Sequence, residues 1–230
     1  MKGKKIDKFL TNLLKYDCYH IKTKSEIKDF NKKKNNFLLI LKTSEPLNLK
    51  DYKNFNIKMK SKLITFRKKN FEKKELGYDC RFAVKGDLKN IIKVCKQNPY
   101  GSRFEKDPLI SKKFLQIYRS IWLKNFFKKK RGDYLIVSYK KNTFLGFILL
   151  IKEEKDLRID QILVNNSFKR KGVAKTLINF SSDYFLKKYK SIVAGTYEHN
   201  STAKKMYKKM NFKREMVTKN IYHLYPKNYN

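Results

Sequence analysis

The chain has 230 residues, 41% hydrophobic and 14% aromatic, with 57 Lys and Arg against 20 Asp and Glu for a net charge of +37. The apolar and aromatic content excludes a disordered chain, and the length suits one large domain or two small ones. Nucleic-acid binders gather charge in a stripe, an arm or a tail; lysine here is spread along the whole chain beside abundant Asn and Ile, which argues for a solvated lysine-rich surface and against a nucleic-acid partner, while still favouring an anionic ligand.

Residues 6–14 have helical spacing, and 37–41 form a continuous apolar run, read as a buried strand. Pro46 and residues 49–54 predict a turn and a short helix. Apolar residues then roughly alternate from Phe55 to Phe66, as in a strand, and the polar stretch 68–75 reads as a linker. Residues 1–76 are therefore expected to form a small α/β N-terminal domain, with a second unit over 77–230. That unit opens with a strand at 81–84, and Asp87 is placed to cap a helix carrying Leu88, Ile91, Ile92 and Cys95 on one face. A loop over 97–108 precedes a helix over 114–127. Strands are predicted at 134–139, 143–151 and 157–164, a helix at 173–188, a strand at 192–196, a helix at 201–210 and a last strand at 217–225. This order gives an α/β (α+β) fold with a mixed central sheet and flanking helices.

Cys18, Cys80 and Cys95 are odd in number and fit no metal spacing. Neither a disulfide framework nor a metal site is expected, and a reducing cytoplasm is the expected location. Charged and polar residues interrupt the first fourteen positions, so no signal peptide is read there. The longest apolar run, 144–151, is too short to span a bilayer.

Two segments carry chemistry. In the first, Leu163 and Val164 end a strand, Lys169, Arg170, Lys171 and Gly172 form a basic loop, and Val173 and Ala174 open a helix. A helix start has unpaired N–H groups and a partial positive charge, hence a ready anion site. A glycine there lets the backbone approach the anion closely. In the second segment, Asn200 can cap the helix after the 192–196 strand, and Tyr207, seven residues on, lies two turns along the same side. Taken singly, each segment is also what an ordinary basic turn or an ordinary helix cap would look like.

Together, at this spacing, they resemble the GNAT acetyltransferases. Lys169-Arg170-Lys171-Gly172-Val173-Ala174 is similar to that family's acyl-CoA loop, with Lys169 where Arg or Gln is usual. The stretch Asn200, Ala203, Tyr207, Phe212 is similar to its following helix. The resemblance spans roughly residues 81–225. It implies acetyl-CoA as co-substrate and no metal, with a pyrophosphate on the 169–174 loop. It also implies an oxyanion-stabilising N–H near Leu163, cofactor contacts from Val164, Asn200 and Ala203, and Tyr207 as the proton donor to the departing thiolate. Strands 157–164 and 192–196 are expected to splay apart around the thioester.

A closer likeness is to the bacterial TDP-fucosamine acetyltransferase group, which acetylates a nucleotide-linked amino sugar. It rests on Ser102-Arg103-Phe104 with Asp107, on the aromatic ending Ile221-Tyr222-His223-Leu224-Tyr225, and on the small α/β region that comes first. This implies a nucleotide sugar as the amine acceptor, with Arg103 and Phe104 as substrate contacts. A peptide N-terminus, a lysine or another small amine is the alternative acceptor, and a basic nucleic-acid binder the alternative class. A homodimer is compatible with the sequence. Asp160, Gln161, Glu198 and His199 all fall near the expected cleft, with Asp160 and Gln161 expected on opposite strand faces, and no base is singled out.

Overall fold

The computed structural model describes residues 5–23, 25–30, 36–69, 77–185 and 187–229; residues 70–75 of the predicted linker lie outside these. Strand β1 (Lys5–Ile6), helix α1 (Lys8–Leu14), β2 (Asp17–Ile21), β3 (Phe37–Thr43) and β4 (Phe55–Lys68) come first. Then follow β5 (Asp79–Phe82), α2 (Leu88–Gln97), α3 (Lys112–Phe127), β6 (Tyr134–Lys140), β7 (Thr143–Glu153) and β8 (Asp156–Val164). The chain ends with α4 (Val173–Phe185), β9 (Ser191–Tyr197), α5 (Ser201–Lys209) and β10 (Lys213–Pro226). Short 3-10 turns lie at Ser25–Phe30, Leu49–Tyr52 and Arg103–Lys106.

Among the described residues ten strands form one mixed sheet in the order β1-β2-β3-β10-β4-β9-β8-β7-β6-β5. It crosses the expected boundary at residue 76, because β4 lies between β10 and β9. Among the described strand pairs β2–β3 and β8–β9 are parallel and the others antiparallel. Helices cover both faces, as a sheet with two apolar faces requires. On one face α4 and α5 bury Leu145, Ile148, Leu150, Ile159 and Ala194. On the other, α2 and α3 cover Leu135, Val137, Phe147 and Leu149, and α3 with α1 covers Leu38, Ile40, Met59 and Tyr225.

Local chemistry explains most element ends. Asp7 and Ser111 accept from backbone N–H groups at the starts of α1 and α3. Asp87 sits before α2 as expected but does not cap it through its side chain. Its carboxylate instead takes two N–H donors of Arg81 (2.7 and 2.8 Å), the Tyr139 hydroxyl (2.6 Å) and Val84 N–H (2.8 Å). This locks the edge strand β5 to the start of α2.

Candidate active site

The β8–β9 ladder is the feature around which the site is built. Its register runs Asp156↔Ser191, Leu157↔Ile192, Arg158↔Val193, Ile159↔Ala194 and then stops, although β8 continues to Val164 and β9 to Tyr197. The strands thus part where the family resemblance implies a splay. The cause is visible in β8: Leu149 of β7 faces Gln161 and Leu150 faces Ile159, so Asp160 is an extra residue, a β-bulge. A bulge bends its strand and ends regular pairing.

The bulge also corrects the expectation that Asp160 and Gln161 face opposite ways. Ile159 and Ile162 both lie in the α4 core. Gln161 pairs across the ladder with Leu149, which packs under α2 and α3, and cross-strand partners share a face. Asp160 points to the same side, gripped by Arg131 (Nε to Oδ2 3.0 Å, Nη2 to Oδ1 2.7 Å), whose guanidinium stacks on Trp122 of α3. Asp160 is thus committed to a buried ion pair. The side-chain amide of Gln161 is enclosed, and neither of its polar atoms has a hydrogen-bond partner.

Gly195 gives the splay a floor. It lies in a central strand, between β4 and β8 in the sheet order, yet it is exposed. A central strand with an open residue marks a cleft in the sheet face, and a glycine there leaves the backbone accessible.

The predicted phosphate loop lies at the far lip of β8. Lys169, Arg170, Lys171 and Gly172 are exposed, Val173 is buried and Ala174 half-buried. Arg170 and Gly172 have φ of +63° and +84°, so the loop is tightly curled, with Lys169 and Lys171 N–H donating back to Asn166 and Phe168 O (3.3 and 3.4 Å). A Cβ added at Gly172 would meet nothing within 4 Å, so the loop opens outward. The first bond into α4 is Thr176 N–H to Gly172 O (2.9 Å), leaving the preceding N–H groups of the helix start for a ligand. Tyr78 braces the loop by donating to Lys171 O (2.8 Å). These features fit a pyrophosphate. Leu163 and Val164 are half-buried at the end of β8 beyond the ladder, where Asn98 donates to Val164 O (3.1 Å).

Asn200 caps α5: its Oδ1 accepts from Ala203 N–H (3.1 Å), and its Nδ2 donates to Gly101 O (3.3 Å), tying the loop before α3 to the start of α5. Tyr207 is only 3% exposed, its ring between Phe66 and Phe212 (centroids 5.6 and 5.2 Å). Burial raises its phenol pKa well above the ordinary value, so the hydroxyl stays protonated across the neutral range and is available as a donor.

Arg103 and Phe104 lie elsewhere than a freely exposed substrate loop would put them. Phe104 is 3% exposed and packs on Phe114, Tyr118 and His223, so it supports the loop from within the core and does not line the cleft. Arg103 is half-buried over the Phe104 ring; Nε donates to His223 Nε2 (3.1 Å) and Nη1 to the Tyr197 hydroxyl (3.2 Å). Behind them, His223 Nδ1 donates to Asp107 Oδ2 (2.5 Å), which also accepts from the Tyr225 hydroxyl (2.7 Å). His223 is fully enclosed; burial, with the Arg103 charge adding to it, pushes its pKa down to about 4 against the opposing pull of Asp107. Beside this network, Glu105 Oε1 lies 3.3 Å from His199 Nε2, a contact off hydrogen-bond alignment. Sequence reading did not find Glu105; a loop carboxylate carries no periodicity to reveal it. Among the described residues no group of three or more His, Cys, Asp or Glu side chains is placed to hold a metal, and no helix is long and apolar enough to cross a membrane.

A parallel strand pair splayed by a bulge, opening beside a basic loop and helix start, defines an acyl-CoA-dependent transferase fold. The chain belongs to the GNAT acetyltransferase family: residues 100–222 match the model of the acetyltransferase (GNAT) domain. It is 25% identical over 142 residues to the spore coat polysaccharide biosynthesis protein SpsD of Bacillus subtilis (strain 168), across 61% of this chain and 48% of that one. The chain thus spans about half the length of that curated relative. Among solved structures, a functionally unknown conserved protein from Staphylococcus epidermidis ATCC 12228 superposes with a TM-score of 0.65 at 14% identity, over 99% of this chain and 92% of its own. A GCN5-related N-acetyltransferase from Kribbella flavida does so with a TM-score of 0.54 at 9% identity, over 92% and 82%. At these identities the likeness is one of fold.

Proposed function

We propose that this N-acetyltransferase transfers the acetyl group of acetyl-CoA to the amino group of a nucleotide-linked amino-deoxy sugar. The observation that carries the reading is the β8–β9 ladder ending at Ile159↔Ala194 beside an exposed Gly195. It leaves an opening between β8 and β9 in which a thioester can lie. The match to a polysaccharide biosynthesis protein supports a sugar acceptor, and the net charge of +37 favours a diphosphate over a cationic polyamine.

In this reading the pyrophosphate of acetyl-CoA rests on Lys169–Ala174. The thioester lies along Leu163 and Val164, with Asn200 and Ala203 bordering it. Preorganised N–H donors for the oxyanion are worth roughly 3–4 kcal/mol in acyl transfer. Tyr207 gives its proton to the leaving thiolate. Arg103, held by Nε and Nη1, offers Nη2 to a diphosphate oxygen.

The test is thiol release from acetyl-CoA with a panel of TDP- and UDP-linked amino sugars, free amino sugars, polyamines and N-terminal peptides. Turnover confined to nucleotide-linked amino sugars is expected. Turnover of peptides or simple amines alone would overturn the sugar acceptor and keep the acetyl transfer.

A further inference from the structure

An amine that attacks a thioester must shed a proton to end as a neutral amide, and the described residues offer few groups at the cleft to take it. Asp160 is bound to Arg131 and lies 3.5 Å from Arg158. Glu198, at the end of β9, lies 3.9 Å from Lys62. Of the three histidines, His20 pairs with Asp7 (2.8 Å) near the β1–β2 edge, and His223 is enclosed with both ring nitrogens engaged. His199 is different. It follows β9 just beyond the splay, its ring stacks on Tyr197 (5.8 Å, 16°), and its side chain is 18% exposed.

We propose that His199, oriented by Glu105, accepts the proton that the acceptor amine sheds; this rests on the acetyl-transfer reading above. Glu105, 17% exposed, faces Nε2 at 3.3 Å. A carboxylate on that side favours the tautomer with the proton on Nε2 and leaves the Nδ1 lone pair as the acceptor. Nδ1 has a weak partner, the Ser61 hydroxyl of β4 at 3.4 Å, which an incoming amine or a bridging water displaces. Contacts this long tighten when substrate closes the site. The other groups facing the imidazole are Tyr197 and, through its hydroxyl, the Arg103 guanidinium. The carboxylate offsets that positive charge when His199 becomes an imidazolium. Glu105 is itself held, by accepting Gly101 N–H, so it orients the ring and does not swing away.

The step balances. The amine lone pair forms the C–N bond at the thioester carbon as the C=O pair moves to oxygen. One amine proton passes to His199 Nδ1. The oxyanion pair returns, the C–S bond breaks, and the thiolate takes a proton. His199 then releases its own to water.

The full chain is assayed with acetyl-CoA and the acceptor that the panel identifies, as His199→Ala, His199→Gln and Glu105→Gln. Acetyl-CoA binding, measured by calorimetry, reports that each variant is folded. His199→Ala is expected to lose about 10²- to 10⁴-fold in kcat at neutral pH, to keep acetyl-CoA affinity, and to regain turnover with added imidazole. Glu105→Gln is expected to lose less in kcat, to keep acetyl-CoA affinity, and to gain less from added imidazole than His199→Ala, because the ring is present but no longer oriented. Wild-type turnover and an unchanged pH profile in both His199 variants would overturn the assignment, as would a loss that imidazole does not restore. If the wild type itself binds acetyl-CoA yet acetylates no amine, the underlying reading falls first and this one with it.

Discussion

His223→Gln should remove a pH dependence of stability that the structure assigns to one residue. The His223 ring is enclosed between Arg103, Phe104 and Asp107, and burial holds it neutral down to about pH 4, against the ordinary 6.5. In the unfolded chain the same ring takes up a proton as pH falls through 6.5. Between these values the unfolded state binds more protons than the folded one, so stability rises with pH and is lost on acidification. The span from 6.5 to about 4 corresponds to about 3 kcal/mol. Asp7, Asp87 and Asp156, whose pKa values are lowered from 3.8 despite the opposing effect of burial, contribute stability that is lost only further down. The assay is urea unfolding of both proteins at intervals from pH 7 to pH 4. The variant should be weaker at pH 7, because Arg103 and Asp107 lose a well-placed partner. From pH 6.5 downward the wild type should lose stability faster, and the two curves should converge by about 3 kcal/mol. Parallel curves across that window would refute the argument, since His20 and His199 are common to both proteins and cancel.

Three further outcomes follow from particular contacts. A Cβ on Gly146 would lie 2.6 Å from Leu163 O and 3.1 Å from Val164 Cα; backbone cannot yield there without moving the end of β8. Gly146→Ala should therefore cost about 1–3 kcal/mol in urea unfolding and weaken acetyl-CoA binding by calorimetry. Gln161→Leu should raise stability by about 1–3 kcal/mol, read as a higher Tm, because an enclosed amide without partners is replaced by an apolar group of similar size; a lower Tm would mean that the amide is satisfied in solution. Tyr207→Phe should leave Tm and the KM for acetyl-CoA nearly unchanged, since the ring contacts with Phe66 and Phe212 persist, while kcat falls about 10²- to 10⁴-fold. Unaltered turnover would remove Tyr207 from proton transfer.

What the sequence made legible is what local physics dictates. The apolar run of β7, the alternation in β4 and the helical stripe of α3 were readable because each buries a face with its own period. The extent of β10 was not. Residues 213–215 are all charged by sequence, yet they belong to the strand, where Lys213 and Arg214 pair with Arg67 and Phe66. Arg67 in turn takes Glu215 (2.6 Å) and Asp156 (2.5 Å). Strand β2 escaped because it is short, with Asp17 and His20 interrupting Cys18, Tyr19 and Ile21, and its parallel partner β3 lies across a crossover that no local signal announces. The same limit governs the site. The glycine and basic residues of the 169–174 loop announce an anion-binding turn, whereas the bulge at Asp160 depends on how β8 registers against β7. A strict alternation therefore placed Asp160 and Gln161 on opposite faces. Gly195 was the available warning, since glycine inside a strand marks a close approach or an opening.

The two short segments that suggested a sugar acceptor, residues 102–107 and 221–225, turn out to be parts of one structure. Arg103 reaches His223, Asp107 binds both His223 and Tyr225, and Phe104 packs on the His223 ring. The loop before α3 is therefore clamped to β10 by its residues 103, 104 and 107, and this accounts for that set of residue types without any ligand. A buried Asp needs donors and receives them from an imidazole and a phenol; a buried neutral imidazole needs a donor at its second nitrogen, and Arg103 supplies it. What the clamp leaves turned toward the cleft is Glu105, with its oxygen 3.3 Å from His199. A substitution in the clamp, such as Asp107→Asn, would loosen the loop and so displace Glu105 without touching the cleft. Activity loss at position 103 or 107 thus does not by itself identify a substrate contact. The distinguishing quantity for Arg103 is whether its loss raises KM for a diphosphate sugar more than for a neutral amine, because a loosened clamp would penalise both alike.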